Sequence, residues 1–211
     1  MSHKVFILSP ARCDGRRAQV LLNPGAGFPL ATELRQPGGA RLGEIFAFLS
    51  GLYFRGKLTY ARAFVTADAA AAPIRIITTN RGLLTPEDRV GLRDIVAFSR
   101  VDLSDAGSDF TGPLLRDAEG LATEIPADTI VVLLGSIATN KYCGPLLDVF
   151  GERLVFPGDF VGRGDMSRGG LMLRHVQDRR ELEYIPVSNA ERHGKRPPKL
   201  PRLSARSSPD R

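Results

Sequence analysis

The chain has 211 residues, enough for one α/β domain that buries most of the surface exposed by its unfolded chain. Its two cysteines stand alone in the sequence, which excludes a disulfide framework and a zinc-finger pattern. The net charge is +6, but seven of the 29 basic residues and only two acidic ones fall in residues 190–211, which leaves 22 basic against 21 acidic residues before them. We therefore predict a single domain over 1–189 and a basic, proline-rich, disordered tail over 190–211.

The N-terminal apolar run, residues 5–8, is too short for the core of a signal peptide or for a membrane span. We therefore expect a cytoplasmic protein without a membrane partner. The three histidines are scattered and form no metal-ligand spacing, so the sequence predicts no metal site and no cofactor. It leaves protein partners open.

The first half of the chain predicts a buried strand over 4–8, a polar loop over 9–17 and a short helix over 30–35. Between 42 and 64, apolar residues recur at intervals of three and four, which is the helical period. Glycines at 51 and 56 interrupt this pattern, so we expect either two helices or one broken helix.

Strands and helices alternate along the rest of the domain. The pattern predicts a strand over 74–78, a helix whose N-terminal cap lies in 85–88, a helix over 113–124, a strand over 129–134, a helix over 140–150 and a strand over 153–156. This rhythm is typical of a three-layer α/β sandwich with a short, mostly parallel sheet of about four strands. Two further segments, 171–176 and 181–187, predict a C-terminal β-hairpin over about 171–187, supported by Tyr184, Ile185 and Val187.

Ligands of such folds enter at the carboxyl ends of the strands, where four loops are candidates: 9–17, 79–82, 135–141 and 157–170. The first loop offers Asp14 as a general base, with Ser9, Gly15 and two arginines for binding, Arg12 and Arg16. An ordinary surface turn with an Asp–Arg ion pair explains these side chains equally well. Cys13 without a histidine partner favours a buried structural thiol.

The other three loops supply further candidate binding residues: Asn80, Arg81, Ser136, Asn140, Arg163, Asp165, Ser167 and Arg168. The 135–141 loop joins an apolar strand to a helix whose free N–H groups suit an anion, but it lacks the Walker spacing, and its polar residues are equally typical of helix caps. The loop over 157–170 contains five glycines, which is typical of a functional binding loop.

Tyr53 and Phe54 lie beside two cations, Arg55 and Lys57, a combination that can stack a base and contact a phosphate. The helical spacing of the apolar residues around them favours another interpretation. In it the aromatic rings pack in the core and the cations lie on a solvated edge of the helix.

The order of these features resembles the uracil-DNA-glycosylase-like superfamily, including its divergent domains associated with deazaguanine-modifying transglycosylases. The resemblance covers about residues 4–170 and rests on Phe6-Ile7-Leu8-Ser9-Pro10, on the segment 77–84 and on 131–140 with the helix, strand and loop that follow. It implies a base-extruding domain that activates water from the first loop, near Asp14, and grips a strand with residues 158–170. The histidine of the family's final motif has no counterpart here.

The leading hypothesis is a nucleic-acid base-processing protein, an N-glycosidic-bond hydrolase or transferase that acts on a modified or damaged base. Its partner is then a nucleic acid or a nucleotide. One alternative is a non-catalytic nucleic-acid-binding accessory module, which the basic tail permits. Another is an enzyme or sensor for a free nucleotide, which the strand-to-helix loops permit.

Overall fold

A computed structural model of the chain describes residues 3–66, 70–101 and 108–200. Its strands are β1 (Lys4–Leu8), β2 (Ala40–Arg41), β3 (Ile74–Ile77), β4 (Leu83–Leu84), β5 (Arg89–Val90), β6 (Ile130–Leu134), β7 (Leu154–Pro157) and β8 (Tyr184–Pro186). Its α-helices are α1 (Arg16–Leu22), α2 (Pro29–Arg35), α3 (Leu42–Ser50), α4 (Leu52–Phe64), α5 (Leu92–Arg100), α6 (Ser108–Glu124), α7 (Asn140–Phe150) and α8 (Asp165–Gln177).

A six-stranded sheet forms the centre of the molecule, in the order β4-β3-β1-β6-β7-β8. The four inner strands are parallel, as predicted, and β4 and β8 add an antiparallel strand at each edge. Phe6 of β1 pairs with Ile74 on one side and Val132 on the other, and β1 and β6 are almost wholly apolar and buried. Continuous apolar runs are typical of parallel strands covered on both faces.

Helices cover both faces of the sheet, which confirms the three-layer α/β architecture. On one face α4 packs against α8, and on the other α6 packs against α7. The chain leaves β1 through the first of these layers to reach β3, and it leaves β6 through the second to reach β7. The connections therefore diverge at the boundary between β1 and β6, and this divergence opens a crevice at the carboxyl ends of the two strands.

The C-terminal antiparallel pair exists, but its partners differ from those expected. Phe156 of β7 pairs with Ile185 of β8, whereas residues 171–176 lie within helix α8. A segment as short as 171–176, with four apolar residues out of six, fits either a strand or one buried stretch of helix. Here the side chains of Leu171 and Met172 are buried on a helix that packs against α4.

Gly51 separates α3 from α4, with a positive φ of 59° that a residue with a side chain adopts only with strain. The prediction that Gly56 also interrupts the helix is wrong. Gly56 lies inside α4, where a Cβ would come within 2.8 Å of the Gly169 carbonyl oxygen of α8. Glycine at this position brings the two helices close together.

The predicted helix cap at 85–88 is also wrong. Thr85 and Asp88 exchange two hydrogen bonds, from the Thr85 N–H to Asp88 Oδ2 and from the Asp88 N–H to Thr85 Oγ1. This local turn leads into β5, and α5 begins after Gly91, whose N–H donates to Asp94. Thr and Asp side chains that bond neighbouring backbone groups favour turns as readily as caps.

The glycine-rich segment over 157–170 is a loop in its first half only, because α8 begins at Asp165. The tail segment 190–200 has no regular secondary structure, and it lies against this loop: Arg163 Nη1 donates to the Pro198 carbonyl oxygen at 3.4 Å. Residues 201–211, to which the prediction of disorder also applies, are outside the described residues. Within the described ranges, no helix is both long and apolar enough to cross a bilayer.

Candidate functional site

The crevice between β1 and β6 contains a cavity of about 690 Å³. Ser9 and Pro10 follow β1 and Ser136 follows β6, and the remaining walls come mainly from helices α1, α3, α4 and α7 and from the start of α8. Its lining side chains and backbone come from Ser9, Pro10, Arg12, Gly15, Arg16, Arg17, Ala18, Leu49, Ser50, Tyr53, Ser136, Thr139, Lys141, Tyr142 and Asp165. The sheet topology therefore places a ligand-sized cavity where parallel α/β folds bind their ligands.

Lys57 lies behind the wall of this cavity and is fully buried. Its Nζ contacts the carbonyl oxygen of Ser9 at 2.6 Å and the Ser9 hydroxyl at 2.9 Å, and it stands 4.4 Å from the centre of the Tyr53 ring. Burial lowers the pKa of the Lys57 amine to about 7, while Asp165 acts to raise it and Arg168 to lower it. An amine whose pKa is close to neutral pH therefore contacts the Ser9 hydroxyl, which lines the cavity.

Two buried tyrosines, Tyr53 and Tyr142, line the same cavity. The Tyr142 hydroxyl accepts a hydrogen bond from the Ser136 N–H at 3.1 Å. The Tyr53 hydroxyl forms no hydrogen bond of ordinary geometry with a described residue, although Arg168 and Ser9 lie near enough to act on its pKa. Burial raises the pKa of Tyr53 to about 12, so its hydroxyl keeps its proton at neutral pH. Both hydroxyls are thus available as hydrogen-bond donors to a ligand.

Cationic side chains surround the mouth of the cavity. Arg12 and Arg16 come from the loop after β1 and the start of α1, and Lys141 comes from the first turn of α7. Arg17 is held in place by a hydrogen bond from its Nη1 to the Phe48 carbonyl oxygen. Asp165 is the only acidic residue among the described residues of the lining, so these residues give the cavity a net positive charge that suits an anionic ligand.

Asp14 does not line this cavity but a neighbouring one of about 570 Å³, which shares Pro10, Arg12 and Lys141 with it. The Asp14 carboxylate is exposed and accepts two hydrogen bonds from Arg12, at 3.1 and 2.9 Å. These bonds lower the pKa of Asp14. The expected alternative, a surface Asp–Arg pair, therefore describes its geometry, and the carboxylate stays ionised at neutral pH.

Cys13 points into the protein beside this pair. Burial raises the pKa of its thiol to about 12, so the thiolate form needed by a nucleophile is scarce at neutral pH. Cys143 is also buried and free. Among the residues that the structure describes, no cluster of histidine, cysteine, aspartate and glutamate has the composition of a metal site.

Of the predicted binding residues, Ser9, Arg12, Gly15, Arg16, Ser136 and Asp165 meet at the cavity. Three others are elsewhere. Arg81 forms an ion pair with Asp94 at 3.1 Å, Asn80 has a buried oxygen without a partner in the described ranges, and Asn140 is bonded by Arg192 of the tail segment.

The three remaining predicted residues come from the 157–170 segment and stabilise its local structure. Arg163 donates to the Asp159 carbonyl oxygen and lines, with Ser167, a second groove of about 280 Å³ between α8 and residues 196–200. The side chain of Arg168 is mostly buried, and its Nε donates to the Phe160 carbonyl oxygen.

The polar core of the site consists of Lys57, Tyr53 and Tyr142. The sequence indicated Tyr53 and Lys57 as a base-stacking and phosphate-contacting combination, but its helical spacing favoured core packing, and it gave no sign of Tyr142. It assigned Lys57 to a solvated edge, because a helix at one face of a sheet usually has one exposed side. In the structure α8 covers that side of α4. The sequence feature that allows this cover is the pair Gly56 and Gly169. Because neither residue has a side chain, α4 and α8 pack closely and α8 covers Lys57.

Comparison with protein-family models, with curated proteins and with solved structures gives no match for the chain. The resemblance to the uracil-DNA-glycosylase-like superfamily therefore stays a prediction.

Proposed function

We propose that this protein recognises a nucleotide unit of a nucleic acid at the crevice between β1 and β6 and processes its base at the N-glycosidic bond. The observation that carries the proposal is the composition of the 690 Å³ cavity, which combines tyrosines in its interior with cations at its mouth.

The volume and the lining fit a base. Small-molecule sites commonly have about 300–1,000 Å³ and a few polar groups on apolar walls. Tyr53 and Tyr142 offer both an aromatic surface, on which a base can stack, and hydroxyl groups, which can bond its polar edge.

The cations at the mouth fit a phosphate. Arg16 presents a planar guanidinium group that matches the geometry of phosphate oxygens, and Lys141 adds a point charge. Arg12 adds positive charge beside them, although its Nε and Nη2 already donate to Asp14. A base inside the cavity would leave its sugar and phosphate at this cationic mouth.

Asp14 is the proposed general base for the water that attacks the sugar carbon. Its cavity shares Arg12 and Lys141 with the base-binding cavity, so the two spaces are contiguous at these side chains. The bond from Arg12 keeps the carboxylate ionised, which is the form that accepts a proton, although it also weakens the base.

Base release from a panel of modified nucleic acids, followed by mass spectrometry, tests this function. Asp14→Asn preserves the shape of the side chain and removes its charge, so release should fall by about 10²- to 10⁴-fold with little change in binding. Release at the wild-type rate would contradict the role of Asp14. Absence of release from every substrate would contradict the processing activity.

A second candidate is the accessory module that binds nucleic acid without catalysis. The groove between α8 and the tail segment favours it, because Arg163, Arg196 and Lys199 line it and the described residues of its lining include no acidic one. This function predicts a salt-sensitive complex with a nucleic acid and no released base.

A further inference from the structure

The hydroxyl of Ser9 lies among three other polar side chains, those of Lys57, Tyr53 and Tyr142. Lys57 Nζ lies 2.9 Å from Ser9 Oγ. Around Gly135 the space is tight: a Cβ there would come within 2.9 Å of Ser9 Cβ and 3.0 Å of the Tyr142 hydroxyl. Ser9, Tyr142 and Tyr53 line one cavity, with Lys57 buried behind Ser9.

We propose that Ser9 and Lys57 form a nucleophile–base pair that hydrolyses a carboxylic ester bound in this cavity, with the hydroxyls of Tyr53 and Tyr142 stabilising the oxyanion. This activity goes beyond base recognition and does not depend on it, because it rests on the contacts of Ser9 and on no property of a nucleotide.

The contacts of Lys57 fix the direction of proton transfer. A neutral amine has one lone pair and two N–H donors, so it can donate to the Ser9 carbonyl oxygen at 2.6 Å and accept the proton of the Ser9 hydroxyl at 2.9 Å. The charged groups that face this amine are Asp165 and Arg168 of α8, whose opposite effects on its pKa partly cancel. Burial therefore dominates, and it lowers the pKa to about 7, which suits a general base at neutral pH.

The Tyr53 hydroxyl is the second observation that points to a ligand. It is buried, it lines the cavity, and it forms no hydrogen bond of ordinary geometry with a described residue, although Arg168 and Ser9 lie near enough to act on its pKa. A buried hydroxyl without a hydrogen bond destabilises the fold, whereas buried polar groups are normally bonded. A substrate oxygen in the cavity would satisfy it.

The reaction balances with water as the only co-reactant. Ser9 Oγ attacks the ester carbonyl carbon as its proton passes to Lys57 Nζ, and the carbonyl oxygen takes the negative charge within reach of the two tyrosine hydroxyls. The carbon–oxygen bond to the alcohol then breaks, and the departing oxygen takes the proton from Lys57. Water attacks the acyl–Ser9 ester in the same way, which releases the carboxylic acid and restores the Ser9 hydroxyl.

Covalent labelling of the full chain with a neutral fluorophosphonate tests the pair. Ser9 Oγ should displace fluoride from phosphorus, and peptide mass spectrometry should locate the adduct on Ser9. The rate of labelling should rise with pH through about 7, as the Lys57 amine loses its proton. Ser9→Ala should abolish the adduct. Ser188→Ala, which removes an exposed serine that does not line the cavity, should label as the wild type does.

Two variants separate the roles of the other groups. Lys57→Met keeps an unbranched buried chain and should slow labelling by about 10²- to 10⁴-fold. Tyr53→Phe keeps the ring and should slow turnover of p-nitrophenyl acetate by about 10²- to 10³-fold without moving the pH midpoint of labelling. No adduct on Ser9, adducts spread over exposed serines, or a rate independent of pH would overturn the proposal even if Lys57→Met does not fold.

Discussion

At the scale of single residues, the least ordinary feature is the fully buried amine of Lys57. A buried ammonium group loses its hydration, and here the contacts with Ser9 and the faces of Tyr53 and Phe54 replace only part of it. The lowered pKa is the consequence of that imbalance. Burial of this kind costs stability at neutral pH, and it is typical of functional groups.

The lowered pKa of Lys57 predicts how stability depends on pH. Between about pH 7 and its ordinary pKa of 10.5, the amine is protonated in the unfolded chain and neutral in the folded one, so raising the pH favours the folded state. The free energy of unfolding should therefore rise from pH 7 to 8.5, by up to about 1.4 kcal/mol per pH unit. Urea titrations at a series of pH values measure this slope.

Lys57→Met is the matched control for that slope. The variant lacks the amine and should lose the rise between pH 7 and 8.5, while the contributions of all other groups remain. If the free energy of unfolding depends on pH equally in the wild type and in Lys57→Met, Lys57 is protonated to the same extent in the folded and unfolded states.

The sequence predicted several residues of the site for a physical reason that held. Ser9, Arg12, Gly15, Arg16 and Ser136 follow parallel strands, and the carboxyl ends of those strands meet at one edge. Lys57 could not be found in this way, because it lies within a helix. Its position depends on how a second helix, distant in the sequence, packs over it.

At the scale of elements, the contact between α4 and α8 depends on two glycines. Gly56 and Gly169 face each other so closely that a Cβ on Gly56 would lie 2.8 Å from the Gly169 carbonyl oxygen and 3.0 Å from its Cα. Backbone atoms cannot move aside as a flexible side chain can. The two helices would have to separate, and the cover of Lys57 would open.

Gly56→Ala should therefore lower the free energy of unfolding by about 1–3 kcal/mol, although alanine is the better helix former. Gly120→Ala in α6 is the matched control, because a Cβ there meets nothing within 4 Å. It should raise stability by up to about 1 kcal/mol. Chemical denaturation measures both, and a stabilising Gly56→Ala would contradict the close contact.

Local sequence patterns predicted the helices and strands whose apolar residues recur regularly. They failed where contacts with distant parts of the chain decide the secondary structure. Helix α7 and strand β1 have the predicted bounds. The run 171–176 formed a helix instead of a strand, and the glycines before it, Gly169 and Gly170, suggested a loop because glycine disfavours helices in isolation. Contact with α4 outweighs that preference.

At the scale of the whole molecule, the segment 190–200 closes over the turn between β7 and α8. Gly162, with a φ of 71°, accommodates the Lys195 carbonyl oxygen, and a Cβ on Gly194 would meet the Val161 side chain. Leu200 packs against the core as a partly buried side chain. The basic composition of this segment gave no sign of these contacts, because they involve backbone and only a few apolar groups.

Truncation separates this segment from the residues after it. Removing 190–211 should lower the Tm by about 2–4 °C, because the contacts of Val161 and Leu200 amount to roughly 1 kcal/mol in a domain of this size. Removing 201–211 alone serves as the control and should leave the Tm unchanged. Differential scanning calorimetry distinguishes the two, and equal Tm values for both truncations and the full chain would show that 190–200 adds no stability.

We expect the cavity at the crevice to bind a nucleotide unit, and an equilibrium binding experiment measures this. Fluorescence anisotropy with a labelled single-stranded oligonucleotide, beside calorimetry with mononucleotides, should show binding to the wild type. Arg16→Ala combined with Lys141→Ala should weaken it at least about tenfold and reduce its dependence on salt. Arg62→Ala, which removes an exposed cation of α4 paired with Glu87, should bind as the wild type does. Equal affinity in the double variant and the wild type, or no binding of either ligand, would contradict this expectation.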